Sequence, residues 1–248
     1  MKKKIIVSSL VVLLVLYIVL VGIPVFRIQQ EQKIIEFQEQ PQHKPEYSRK
    51  TTMKVPAIDE EDNGIMAELS VEVMPGKGRT LVDIEEILFW EDTQNSIRTA
   101  KLVAENITGI DLSDYDLIYS VRANASAIEG PSAGAAMAIA TIASLQNKTI
   151  NHSITITGYL KNDGRIGKVS GILPKAKISK ETGMELFLVP HGQKYQITYE
   201  QERRCEKYVF STFCRTETVE KKVDIEEEVG IRVEEVENVE EALKYFLT

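Results

Sequence analysis

Glu129-Gly130-Pro131-Ser132-Ala133-Gly134-Ala135-Ala136 places a serine among small residues, just ahead of an apolar run from Met137 to Leu145. Gly130 and Gly134 carry no Cβ, so backbone or substrate can come close to the Ser132 hydroxyl. Pro131 lacks an N–H and has a fixed φ, which suits the first turn of a helix. Met137, Ile139, Ala140, Ile142 and Leu145 predict a helix over 133–146, directly after Ser132. Unpaired amides and the positive end of the helix dipole lie there, and the N–H groups of Ser132 and Ala133 are placed to hold a developing oxyanion. An ordinary Gly-Pro-Ser turn with Ser132 as N-cap has the same local sequence. A base is what separates the two readings.

Lys175 follows 43 residues later, in Gly171-Ile172-Leu173-Pro174-Lys175-Ala176-Lys177. A serine hydroxyl is a poor nucleophile until a neighbour takes its proton. Lysine at its reference pKa of about 10.4 is protonated at neutral pH and cannot do so. Burial against apolar groups penalises the ammonium and brings the pKa to about 7–8, the range of a working base. Three units of depression cost roughly 4 kcal/mol, which the fold must supply. Ile172, Leu173, Ala176 and Ile178 are suitable surroundings, whereas Lys161, Lys177 and Lys180 lie among more polar residues. Taken alone, such a lysine is more often a helix residue that snorkels to solvent.

Gly130-Pro131-Ser132-Ala133-Gly134 also fits the G-x-S-x-G nucleophile elbow, and Asp163 and His191 follow in the order Ser, Asp, His. A Ser132–Asp163–His191 hydrolase is therefore the rival chemistry. No HGGG-like oxyanion segment precedes the serine, however, and the β–α alternation of a doubly wound sheet is sparse.

Taken together, the Ser132 and Lys175 segments resemble the proteolytic domain of Lon proteases, whose nucleophile and base are a Ser–Lys dyad. The resemblance runs from about Leu69 to Pro190 and resumes at the C-terminal helix. It implies an α+β fold of mixed sheets with packed helices, peptide-bond hydrolysis by Ser132 and Lys175, and a homo-oligomeric, hexameric ring. Thr157-Gly158 resembles the family's Thr-Gly pair, which sets Thr157 beside the base. Glu129 stands where bacterial members carry an aspartate, and with Gly130, Ala133 and Thr157 it completes the supporting set. Met74-Pro75-Gly76-Lys77-Gly78 and Asp114-Tyr115-Asp116 resemble segments of archaeal membrane Lon. Tyr159, Ser170-Gly171 and Leu173-Pro174 depart from the family pattern, in the groove and the helix start rather than at the dyad.

The remainder of the chain adds attachments to one domain. Lys2-Lys3-Lys4 precedes the apolar stretch 5–26, long enough to cross a bilayer as a single transmembrane helix. Its end, Val21-Gly22-Ile23-Pro24-Val25, is a poor cleavage site, so an uncleaved anchor is expected. Residues 1–4 then stay in the cytoplasm and the peptidase domain lies outside it, at the cell membrane. A polar linker is expected over 27–54 and the domain over 55–248, with an inserted segment near 195–223. Cys205 and Cys214 in that insert suit a disulfide in an oxidising compartment. Strands are expected over 67–73, 80–84, 117–121, 154–160, 165–169, 186–189 and 231–236, with helices over 92–105 and 175–182 and one begun by Asn238 and Glu241.

Composition bounds the chemistry. A net charge of −7 argues against nucleic acid as a partner. The three histidines, His43, His152 and His191, stand apart without H-E-x-x-H, so neither metal nor other cofactor is expected. No G-x-x-x-x-G-K-[ST] is present, and cleavage of unfolded or flexible polypeptides without ATP is the expectation. A membrane-tethered scaffold that binds peptides without cutting them is the alternative from another class.

Overall fold

The computed structural model describes residues 48–84, 88–89, 91–123, 127–128 and 130–247. The expected anchor over 5–26, most of the expected linker and Glu129 lie outside the described residues. Among the described residues, no helix is long and apolar enough to cross a membrane.

β1 (Arg49–Ile58) and β2 (Gly64–Pro75) form an antiparallel pair. Thr51, Met53, Val55 and Ala57 of β1 are buried. The paired strand thus starts six residues ahead of Val55, inside the stretch expected as linker. Lys50 and Lys54 keep one side of it exposed, and that polar alternation is what hid an outer strand in the sequence. β3 (Thr80–Val82) is shorter than the 80–84 expected and pairs parallel with β5 (Tyr115–Arg122), which runs antiparallel to β2. The resulting order is β1-β2-β5-β3. β4 (Leu88–Phe89) and β6 (Ala127–Ile128) make a short parallel pair.

α1 (Glu91–Thr108) packs on α2 (Gly134–Gln146), and α2 covers this sheet. Every residue of α2 from Gly134 to Leu145 is buried, as befits a helix that is apolar all round. Its interior hydroxyls are satisfied: Thr141 meets Tyr119 Oη at 2.8 Å, and Ser144 meets Thr51 at 2.7 Å. Left unpaired, each would cost about 1–3 kcal/mol.

A second sheet is all parallel, in the order β13 (Arg232–Val236), β10 (Leu186–Pro190), β7 (Ile154–Ile156). The single strand expected over 154–160 is broken. β7 ends at Ile156, and β8 (Tyr159–Leu160) turns away to pair with β9 (Ile166–Gly167). Only that short β9 forms within the 165–169 stretch. α3 (Ile172–Glu181) begins three residues before the expected Lys175. Pro174 lies in its first turn, where a missing N–H breaks no helical hydrogen bond.

The insert is a long antiparallel ribbon, β11 (Tyr195–Tyr208) and β12 (Ser211–Asp224), closed by Val209 and Phe210. Cys205 and Cys214 face each other across it and are disulfide-bonded. α4 (Ile225–Val229) was not expected: its glutamates read as a solvated face, yet Asp224 caps it and Ile225 is buried beneath it. α5 (Val239–Phe246) begins as expected, with the Asn238 side chain accepting from the Glu241 amide at 2.9 Å. The larger core lies between the first sheet and α1, α2 and α5. A smaller one gathers Ile172 and Ala176 of α3 with Phe187, Val189, Ile225 and Val233.

Candidate active site

Gly130 turns the chain into the Ser132 segment with φ +90° and ψ 158°, a backbone region closed to residues with a side chain. Nothing crowds the position of its missing Cβ, so this glycine is required by conformation and not by space. Pro131, Ser132 and Ala133 then form one 3-10 turn before α2 begins at Gly134, so the helix starts one residue later than expected. Ser132 is half-buried on that turn. The Gly134 amide is taken up by the Pro131 carbonyl and the Ala135 amide by the Gly158 carbonyl at 3.2 Å. The first amides of this N-terminus, on Ser132 and Ala133, precede those two.

The break between β7 and β8 docks against the same turn. Gly158 donates its N–H to the Ser132 carbonyl at 2.8 Å, and the Thr157 hydroxyl donates to that carbonyl at 3.4 Å. Thr157 is fully buried, held by its own amide on the Leu188 carbonyl at 3.1 Å. Had the strand continued straight, Thr157 would have been one more rung of a ladder. Its place at the break turns it towards the site.

Lys175 arrives from the opposite side on α3. It is 1 % exposed, lying between the buried Ile172 and Ala176 on one helix. Side chains on a helix lean back towards its N-terminus, and Nζ accordingly reaches the Ser170 carbonyl at 3.2 Å and Thr157 Oγ1 at 3.4 Å. Burial pushes the amine down to about 8, and no ion pair opposes this among the described residues. The N-terminal dipole of α3 acts in the same direction, since it disfavours a cation beside the first turn. Thr157 therefore links the two halves: its hydroxyl accepts from the lysine and donates to the backbone of the serine. Among the described residues, no hydrogen bond joins Ser132 Oγ to Lys175 Nζ directly.

Gly64, at the start of β2, had no place in the sequence reading. A Cβ there would lie 2.2 Å from the Pro174 carbonyl oxygen, so the strand can approach the first turn of α3 only because residue 64 has none. The Ser170 carbonyl was equally invisible, because a backbone acceptor carries no side-chain signal. Asp116 carries a further role. Its carboxylate accepts from the amides of Lys77 and Arg79 at 2.9 Å and from the Arg79 guanidinium, which holds it well below the usual carboxylate range. The two segments noted around Met74 and Asp114 are thus one structural unit.

The rival triad is not joined. Asp163 accepts from Arg165 Nε at 2.7 Å, and His191 is 71 % exposed with Nδ1 3.3 Å from Glu235. No hydrogen bond connects Asp163 to His191, or His191 to Ser132, among the described residues.

Known proteins resemble this chain over the same region. A model of the Lon protease (S16) C-terminal proteolytic domain matches residues 64–223. Lon protease 2 of Bacillus subtilis is 27 % identical over 148 residues, 55 % of this chain and 27 % of that protein. The archaeal Lon protease of Methanothermobacter thermautotrophicus is 24 % identical over 150 residues, 59 % of this chain and 23 % of that protein. That of Thermococcus kodakarensis is 23 % identical over 145 residues, 57 % of this chain and 22 % of that protein. The chain thus spans about a quarter of the length of these curated relatives. With well over half of its residues matched, and the matched region holding Ser132, Thr157 and Lys175, the chain belongs to the Lon protease (S16) family through its C-terminal proteolytic domain.

Proposed function

We propose that this chain is a membrane-anchored serine endopeptidase that cleaves unfolded or flexible polypeptides with Ser132 as nucleophile and Lys175 as base. The observation that carries the reading is the buried Lys175 amine, lowered to about 8 and tied through Thr157 to the backbone of Ser132. When substrate binds, Ser132 Oγ attacks the peptide carbonyl carbon while its proton passes to neutral Nζ. Such contacts commonly tighten only in the substrate complex. The carbonyl oxygen becomes an oxyanion, which the amides of Ser132 and Ala133 stabilise. Collapse expels the amine, which takes the proton from the Lys175 ammonium and leaves an ester on Ser132. Water then attacks the ester, Lys175 accepts its proton, and Oγ leaves with that proton restored. Gly130 shapes the approach to this turn.

Every proton in this cycle is supplied by Ser132, Lys175 and water, so an unstructured substrate needs no nucleotide. The disulfide between Cys205 and Cys214 suits an oxidising compartment. That supports a peptidase domain outside the cytoplasm, held by a single span over 5–26. Assembly into a homo-oligomeric ring is the proposed state. Full-length protein in vesicles should digest casein at equal rates with and without ATP, and Ser132→Ala should abolish digestion while leaving the thermal transition in place. Casein left intact by the unmutated chain would turn the reading to a peptide-binding scaffold.

A further inference from the structure

The β11–β12 ribbon ends in a way that neither a turn nor a soluble surface explains. Two-residue hairpin loops favour Gly, Asn or Asp, yet this one is Val209-Phe210, exposed by 90 % and 99 %. Tyr208 and Phe213 beside it are exposed as well. Isolated two-stranded hairpins are marginal in water, and here the Cys205–Cys214 disulfide ties the strands together four residues before the loop. The ribbon therefore holds an apolar point away from its own core.

Charge changes sign towards that point. From Arg203 to Arg215 the ribbon carries Arg203, Arg204, Lys207 and Arg215 against the single carboxylate of Glu206, a local charge of +3 in a chain of −7; Arg204 and Arg215 lie against Glu202 and Glu217 just behind, so the collar rests on Arg203 and Lys207. Arg203 and Lys207 lie on the same side of β11 as Cys205 and are exposed. An apolar tip with an aromatic residue at its margin and a basic collar behind it is the pattern of an interfacial membrane anchor. A protein partner would need a surface of about 800 Å² per side, far more than four side chains at a hairpin end present. Insertion into lipid needs no matching surface. The preceding chain supplies the location: about 20 residues separate the apolar stretch ending at Phe26 from Ser48, enough to span up to about 70 Å.

We propose that the tip of the β11–β12 ribbon, Tyr208 to Phe213, inserts into an anionic lipid surface as a second membrane contact. This rests on the reading of residues 5–26 as an anchor. The test uses the full chain in vesicles of phosphatidylglycerol and bromine-labelled phosphatidylcholine, with Phe210→Trp as reporter and the parent chain, which has its own Trp90, as baseline. Thr218→Trp, placed mid-ribbon, is the control. F210W should show blue-shifted added emission that loses about half its intensity to the bromines, while T218W stays unquenched. Quenching should weaken when phosphatidylglycerol is replaced by phosphatidylcholine. Flotation with an unquenched F210W would keep the anchor and overturn the tip. A chain that does not float with the vesicles would overturn both. A blue shift that appears in detergent alone and grows with protein concentration would assign the tip to a second copy of this chain and overturn the lipid contact.

Discussion

Lys175 is costly to the fold that holds it. Its amine is lowered from an ordinary value of 10.5 to about 8 by burial, so the unfolded chain holds this proton more tightly than the native one. The penalty is complete below about pH 8 and fades as pH rises towards 10.5, where the unfolded chain loses the proton too. Lys175→Met should therefore raise stability at pH 7 by on the order of 2–3 kcal/mol while abolishing hydrolysis. The gain should vanish above about pH 10.5, as thermal melts across pH would show. Thr157 is the other residue on which the proposed chemistry rests. Thr157→Val keeps the shape but loses both hydroxyl contacts, and kcat should fall at least about tenfold with a stable fold, since each lost hydrogen bond is worth about 0.5–1.5 kcal/mol. Thr157→Ser should restore most of the rate. Ser132 and Lys175 stood out because their chemistry resides in side-chain type and neighbours, whereas Thr157 entered only through its resemblance to the family's Thr-Gly pair. The Ser170 carbonyl was not, because any residue at that position offers the same acceptor.

The elements explain how these side chains meet. Most of the longer strands and helices followed from apolar spacing, β1 and α4 being exceptions, but the site depends on where elements stop. The expected 154–160 strand reads as continuous in Ile154-Thr155-Ile156-Thr157-Gly158-Tyr159-Leu160, and it breaks because Gly158 turns to bond the Ser132 segment on both its N–H and its C=O. That is tertiary competition for backbone groups, and a local pattern does not contain it. The early start of α3 has a similar cause, since Pro174 is acceptable in a first turn whose far side packs on β2. Gly64→Ala tests the coupling: its Cβ would meet backbone and must displace the first turn of α3. A shift of about 1 Å there should cut kcat up to about a hundredfold. Circular dichroism should remain native, because the crowding is confined to one turn. Unchanged kinetics would mean that α3 does not depend on this approach.

At the scale of the molecule, the peptidase core and the ribbon are separable in energy. β11 and β12 are exposed along nearly their whole length and contribute Val223 to the buried set, whereas Ser132 and Lys175 lie beside residues of the larger and the smaller core. Reduction of Cys205–Cys214 should accordingly leave hydrolysis of a short peptide unchanged while raising amide exchange along the ribbon. A parallel loss of activity on reduction would show that the ribbon shapes the site. Only an insert near 195–223 holding both cysteines was legible in the sequence; the ribbon itself was not, because charged residues occupy both faces of strands that bury almost nothing.

The central claim is that neutral Lys175 takes the Ser132 proton, and the pH dependence of kcat/KM for an unstructured peptide tests it most directly. Only the neutral amine is active, so the rate should rise about tenfold per pH unit through the acid limb, level off above about pH 8, and be absent in Lys175→Ala. His191→Ala should reproduce the parent profile. A rate already at its maximum near pH 6, retained in Lys175→Ala and lost in His191→Ala, would contradict the account.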